Sequence, residues 1–186
     1  MRKSKLIVIS APSGAGKTTL CDMLLKEFPN ITRSISATTR PIRKGEVDGE
    51  DYFFLTEKDF KKKLKQNEFI EHALVHEYYY GIPQDFVEKA LQNKKHVLFN
   101  IDVQGAFTIQ KKYPKDTLLI FITPPSIEEL ENRLKKREES QDTIEKRIQN
   151  AYNEIEWSKE FHYKILNDNL QEAFQKLKEI VQNECK

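Results

Sequence analysis

Glycine is scarce in this chain: six residues in 186, where average usage would give about thirteen. That scarcity excludes a flexible or low-complexity protein and makes the positions of the few glycines informative. Cysteine is nearly absent as well. Cys21 and Cys185 lie near opposite ends of the sequence, with no Cys-x-x-Cys or Cys/His metal spacing. A disulfide scaffold and a structural zinc site are therefore excluded, and a reducing, cytoplasmic setting is expected. Long apolar runs are missing too. Leu6-Ile7-Val8-Ile9, behind the basic start Arg2-Lys3-Ser4-Lys5, is too short for a signal-peptide core or a membrane span and reads as a buried strand. Nor is there an excess of one charge: 31 Lys and Arg against 29 Asp and Glu leave +2. This near-balance argues against a dedicated nucleic-acid binder, for which a basic surplus supplies most of the affinity.

What is present is an alternation of short apolar runs and amphipathic stretches. Leu6 to Ser10, Val97 to Asp102, Thr117 to Thr123 and Tyr163 to Leu166 read as strands. Lys17 to Phe28, Gln84 to Asn93, Gln104 to Tyr113 and a last segment with Leu170, Phe174, Leu177 and Val181 on one face read as helices. Ser126 with Glu129, and Asp142 with Glu145, mark two further helix starts, the second helix running to about Trp157. Strand and helix in turn predict a three-layer α/β core on a parallel sheet. Residues 34 to about 93 break the rhythm. Arg33 to Thr38, Tyr52 to Leu55 and Phe69 to Glu77 read as strands, Thr56 with Asp59 opens a charged helix, and Tyr78 to Gly81 reads as a turn. One domain is expected, with a core over about 1–33 and 94–186 and an inserted mixed α/β lobe between.

Ala11-Pro12-Ser13-Gly14-Ala15-Gly16-Lys17-Thr18 stands between the first strand and the first helix. It fits the phosphate-binding loop pattern except that Ala11 replaces the first glycine, a change that matters only if that position needs positive φ. Gly14 and Gly16 let successive N–H groups turn toward an anion, and the helix start adds its positive end. Lys17 can reach β- and γ-phosphate oxygens, and the Thr18 hydroxyl can ligate Mg²⁺. Ser13, Gly14, Ala15, Gly16, Lys17, Thr18 and Thr19 are thus the candidate ATP contacts. The loop alone indicates a nucleotide and not a reaction. The Asn-Lys-x-Asp base-reading motif of GTPases is absent, and the short length with an inserted lobe favours a small kinase.

The most specific stretch is Ser36-Ala37-Thr38-Thr39-Arg40-Pro41-Ile42-Arg43-Lys44-Gly45-Glu46-Val47-Asp48-Gly49-Glu50-Asp51-Tyr52. Together with Phe69-Ile70-Glu71, Tyr79-Tyr80-Gly81, Ile101-Asp102-Val103-Gln104-Gly105, Pro124-Pro125-Ser126 and Asn167-Asp168, it closely resembles the guanylate kinases over almost the whole length. The resemblance implies ATP-dependent phosphorylation of GMP, and of dGMP, to GDP with Mg²⁺. It implies a monomer or weak homo-oligomer whose partners are ATP and GMP, with no nucleic acid and no membrane. It places Arg40, Arg43, Tyr52 and Tyr80 on the GMP phosphate, Glu71 and Ser36 on the guanine, and Asp102 on GMP or on water around the metal. Asn167 and Asp168 fall beside the adenine of ATP. A short lid over about 133–147 brings Arg137 and Arg147, with Arg133 as a third candidate, to the reacting phosphates; Lys17, Arg43, Arg137 and Arg147 form the catalytic set. The spacing of Arg137 and Arg147 is one residue shorter than the family's.

Two positions depart from the pattern. Ile82 stands where the family has Ser or Thr, and Asn100 stands where it has Asp. Two other functions stay open at this stage: a catalytically silent guanylate-kinase-like protein-binding module, and a kinase for another nucleoside monophosphate. The intact Gly16-Lys17-Thr18 and the single-domain length argue against the first, and Glu71 against the second. His72 and His76 lack a third ligand for a metal. Cys21 and Trp157 read as packing residues, and Lys61-Lys62-Lys63 as a solvated helix face.

Overall fold

A computed structural model describes residues 4–75, 77–136 and 141–185. Five strands form one parallel sheet: β1 (Leu6–Ser10), β2 (Ile31–Arg33), β7 (His96–Asn100), β8 (Thr117–Thr123) and β9 (Tyr163–Leu166). Their order is β2-β7-β1-β8-β9. All five residues of β1 are buried. The reason is two-sided packing: Ile7 and Ile9 enter one apolar cluster, Leu6 and Val8 the other. A central parallel strand covered on both faces reads as an uninterrupted apolar run, which is what the sequence presents.

Seven α-helices lie among the described residues: α1 (Lys17–Glu27), α2 (Glu57–Lys65), α3 (Gln84–Gln92), α4 (Val103–Lys112), α5 (Ile127–Lys135), α6 (Gln141–Trp157) and α7 (Leu170–Glu184). Buried residues of α1, α5, α6 and α7 join Ile7 and Ile9 on one face of the sheet. Those of α3 and α4 join Leu6 and Val8 on the other. Thr56 and Ser126 cap their helices as the sequence predicts, and Asn169, which the sequence reading did not single out, caps α7. Each accepts backbone N–H groups at a helix start, a contact worth about 1 kcal/mol apiece. Asp142, expected to open a helix, lies instead within the first turn of α6.

A second sheet has the order β4-β3-β6-β5, from β3 (Ala37–Thr38), β4 (Phe53–Phe54), β5 (Phe69–Val75) and β6 (Tyr78–Pro83). It has its own small core, in which Phe60 stacks on Phe69 and Tyr79 with centroids 4.4 and 5.4 Å apart. Two details differ from the sequence pattern. Arg33 to Thr38 does not form one strand: β2 pairs with β7, Ser34 donates to the Leu98 carbonyl, and the chain then crosses to the other sheet. Tyr78 to Gly81 is not a turn but most of β6. Gly81 within it is required by packing, since a Cβ there would come within 2.9 Å of the Phe69 ring and 3.1 Å of Phe60. By its packing α3 belongs to the central cluster, with Val87 and Ala90 against β7.

Candidate nucleotide-binding site

In an open parallel α/β sheet, ligands gather beyond the carboxyl ends of the strands where neighbouring connections diverge. Here β1 runs directly into residues 11–16, and β7 beside it ends at Asn100. Between them opens a cavity of about 380 Å³ lined by residues 11–14 and 16–19 of the loop and helix start, by Asn100 and Asp102, and by Glu154 of α6.

The loop has the geometry an anion needs. Gly14 and Gly16 have φ of 93° and 88°, values that side chains disfavour. Ala11 is not among the residues of positive φ, so the missing first glycine costs nothing in backbone strain. Gly16 is the N-cap of α1, no side chain caps it, and the first turn carries no acidic residue. The positive end of the helix is therefore open to a ligand. The Lys17 ammonium donates to the Ile101 carbonyl at 3.0 Å. Desolvation holds its pKa below the usual lysine value, against the opposing charges of Cys21, Glu154 and Asp102. The exposed Thr18 hydroxyl accepts a 3.4 Å contact from the Asn100 amide. Thr19 is exposed.

Two helices reach the loop from the side. Arg147 of α6 donates to the Ser13 hydroxyl. Glu154 stands seven residues further on, two turns along the same face, and lines the cavity; its Oε2 is buried with no hydrogen-bond partner. Burial raises its pKa, against the pull of Lys17. Arg133 of α5 donates to Glu129 at 2.9 Å and through both terminal nitrogens to the Asn167 carbonyl at 3.3 Å. The Asn167 side chain is itself buried and donates to the Ala15 carbonyl at 2.7 Å. Asp168 is exposed. Arg137 lies outside the described residues, as does His76.

The second sheet carries the other candidates. Arg40 is buried, with only 7% of its surface exposed. Its guanidinium bonds both oxygens of Glu46, at 3.0 and 2.7 Å, and the Pro41 carbonyl at 2.7 Å. It lies 5.4 Å from the centre of the Tyr52 ring, and Tyr52 meets Tyr80 edge-on at 6.0 Å. Arg43 is exposed, but its backbone N–H is held by the same Glu46 at 2.8 Å. Asp48 and Asp51 accept from Phe54 and Val47 N–H groups, each at 2.8 Å. The polar stretch from Arg40 to Phe54 is thus a loop stapled by its own carboxylates. Ser36 sits beside β3, where its carbonyl accepts from Phe53. Glu71 is half-buried on β5; burial and then the Asp102 charge raise its pKa, so the two carboxyl groups feel each other across the two sheets. Asp102 also caps α4, its Oδ1 accepting the Gly105 N–H at 2.8 Å.

The two departures have distinct structural settings. Ile82 lies opposite Glu71 in the β5–β6 pair, is 1% exposed, and packs with Ile70 and Val87. Its side chain serves the core. Asn100 touches Thr18, as described. Sequence reasoning passed over Glu154; its helical spacing from Arg147 was the signal. Trp157, read as a packing residue, is 54% exposed, with one edge on Phe107.

Residues 3–184 match the family model described as guanylate kinase. A guanylate kinase of Caldanaerobacter subterraneus is 45% identical over 181 residues, covering 97% of this chain and 87% of its own length. One of Protochlamydia amoebophila is also 45% identical, over 97% of this chain and 91% of that protein. Among solved structures, the guanylate kinase from Anaplasma phagocytophilum superposes with a TM-score of 0.77 at 33% identity, covering all of this chain and 89% of that one. With a parallel core sheet, an open phosphate loop and these relatives along its full length, the chain belongs to the guanylate kinase family.

Proposed function

We infer that this protein transfers the γ-phosphoryl group of ATP to GMP, giving ADP and GDP. The observation that carries this reading is the pairing of an intact phosphate loop, with Lys17 in its cavity, and a half-buried carboxylate, Glu71, electrostatically linked to Asp102 on the wall of that cavity. Family membership supplies the reaction.

The mechanism needs no covalent enzyme intermediate. A GMP phosphate oxygen attacks the γ-phosphorus in line, and the bond to the β-phosphate oxygen breaks. Arg40, Arg43, Tyr52 and Tyr80 hold the GMP phosphate; guanidinium forks match its oxygens and lower its charge as a nucleophile is brought close. Ionised Glu71 accepts from the guanine N1–H and 2-amino groups, with Ser36 as a second contact. Adenine offers neither donor and leaves the carboxylate unpaired. The loop N–H groups of Ser13 to Thr19, Lys17, and Arg147 with Arg137 stabilise charge on the transferring group. Asn167 and Asp168 flank the ATP side. Closure of the lobe over 34–93 toward α5 and α6 would exclude water that would otherwise hydrolyse ATP.

Mg²⁺ fits the oxygen chemistry of the cavity. No group of three or more His, Cys, Asp or Glu side chains suited to a metal occurs among the described residues. The ion would be held by the phosphates and the Thr18 hydroxyl with waters facing Asn100 and Asp102, as expected of an ion that keeps much of its hydration. Bound there, it neutralises charge on the β- and γ-phosphates. No described helix is long and apolar enough to cross a membrane. Both cysteines are free thiols, as suits a reducing compartment, and on that ground we assign the protein to the cytoplasm.

A coupled assay of ADP release with GMP, dGMP, AMP and UMP tests the reading. Turnover with GMP and dGMP well above the others is expected. No turnover with any acceptor removes the enzyme assignment, and preference for AMP or UMP removes the role of Glu71.

A further inference from the structure

Asn167 follows β9, whose pairing with β8 continues as the Asn167 N–H donates to the Thr123 carbonyl at 2.8 Å. Its side chain does not point to solvent. The residue is 4% exposed, and its amide nitrogen donates to the Ala15 carbonyl at 2.7 Å, in the middle of the phosphate loop. The contact is close enough to dictate the neighbouring residue: a Cβ on Gly16 would lie 2.3 Å from that same nitrogen. On its other side the Asn167 carbonyl receives both terminal nitrogens of Arg133, whose Nε is held by Glu129 one turn earlier in α5. One buried residue therefore joins three parts: the end of the sheet, the helix that precedes residues 137–140, and the loop around the cavity.

We propose that Asn167 is a positioning residue that braces the phosphate loop by holding the Ala15 carbonyl, and ties that loop to α5 through Arg133. The loop must present N–H groups to phosphate, and each carbonyl among them must be turned away. Among the described side chains, the Asn167 amide is the partner of the Ala15 carbonyl, at 2.7 Å. The Ala15 carbonyl shares its peptide plane with the Gly16 N–H, so fixing the one sets the other before ligand arrives, and binding loses less freedom. The Ala15 N–H is itself turned to the Pro12 carbonyl at 3.1 Å. The Asn167 amide is thereby engaged with backbone, which sets it apart from a residue that reads the adenine ring. This rests on the proposed kinase activity only for its catalytic consequence; the brace itself concerns the free protein.

The test uses Asn167→Asp, nearly isosteric but with two acceptor oxygens facing an acceptor carbonyl, and Asn167→Ala as a second variant. In the full-length, ligand-free protein, amide hydrogen exchange at residues 14–18 should quicken in both, while exchange in β5 and β6 stays unchanged. By calorimetry, affinity for ATP, GTP and inorganic tripolyphosphate should fall together, by about tenfold, the usual order for one buried hydrogen bond. GMP affinity should hold, which also reports a folded protein. Unchanged exchange at residues 14–18 overturns the brace. So does a variant that keeps its tripolyphosphate affinity but loses preference for ATP over GTP, because that pattern belongs to an adenine contact. If the unmodified protein binds none of the three polyphosphates, the kinase reading fails, and the exchange measurement still decides the brace.

Discussion

The Arg40 guanidinium lies in a two-pronged pair with Glu46, Nη1 at 3.0 Å from Oε2 and Nη2 at 2.7 Å from Oε1. The same Oε2 also accepts the Arg43 N–H at 2.8 Å. A single carboxylate thus orients one arginine by its side chain and the next by its backbone. The pairing raises the Arg40 pKa and lowers that of Glu46, each chiefly through their mutual hydrogen bonds. Planar, bidentate contact is what lysine cannot reproduce. Arg40→Lys should therefore raise KM for GMP by one to two orders of magnitude, about the worth of a charged hydrogen bond, while KM for ATP stays within about twofold, on the usual independence of distant sites. Glu46→Gln keeps the shape but halves the acceptor set, and should give a smaller rise in the same direction. Steady-state kinetics with each substrate varied in turn check both; an equal rise in both KM values would show a general loss of structure.

Lys17 combines function with a stability cost. Its ammonium is desolvated in the loop cavity, which lowers its pKa. A base whose folded pKa lies below its unfolded value destabilises the fold while charged, and that cost disappears as pH rises past the unfolded value. Lys17→Met should accordingly melt higher than the parent at pH 7, in keeping with the common trade between stability and activity. It should also lose turnover by a factor of about 10² to 10³ or more, the scale of one preorganised charge contact, while GMP still binds. Retained turnover would remove Lys17 from the transfer step; thermal melts and the coupled assay give the two readings.

A pH effect on folding comes from His96, far from the phosphates. Its Nδ1 accepts the Lys5 N–H at 3.0 Å where β1 begins, and the residue is 4% exposed. Only a neutral imidazole nitrogen can accept that bond. Burial, and then the Lys5 charge, lowers its pKa. The unfolded state then takes up the proton first as pH falls, so stability is full above the unfolded value near 6.5 and declines below it until the folded value is passed. Asn at this position offers an oxygen where Nδ1 stood. His96→Asn should retain most of the stability at pH 7.5 and flatten the decline between about pH 6.5 and 5. Urea titrations at several pH values measure both slopes.

The legibility of the molecule was uneven for physical reasons. β8 was read at its full length because two buried faces leave an unbroken apolar run from Thr117 to Thr123. Caps at Thr56 and Ser126 were legible because the bond is local, three residues apart. β6 was misread as a turn: Tyr78, Tyr79, Tyr80 and Gly81 carry no alternation, and their strand state is set by pairing with β5 and β3. In the same way, the break between β2 and β3 depends on which sheet each end joins. Of the site, the phosphate loop and the arginine-rich loop were legible as contiguous strings. Glu154 and the Asn167–Ala15 contact were not, since they join residues more than 130 positions apart.

Glu71 supplies the sharpest test of base reading. It stands half-buried beside Ile82, a side chain that can give no hydrogen bond and is turned into the core. In the proposed reaction, discrimination among purines would therefore fall on the Glu71 carboxylate more heavily than it would with a hydroxyl at position 82. Its pKa is raised by burial and then by Asp102. Only the ionised form accepts from both N1–H and the 2-amino group, so kcat/KM for GMP should fall on the acid side at a pH above the ordinary carboxylate range. The cause of the shift also predicts its relief: Asp102→Asn should move this acid limb to lower pH by removing the neighbouring charge. Glu71→Gln replaces one acceptor oxygen by a donor that clashes with a guanine donor. Such a mismatch in a buried site lies at the strong end of substrate discrimination, so the GMP-to-AMP ratio of kcat/KM should collapse by about 10² or more. The acid limb should vanish from whatever activity remains. A ratio that survives the substitution, measured across pH 5 to 8 with both acceptors, would move base recognition away from Glu71 and onto Ser36.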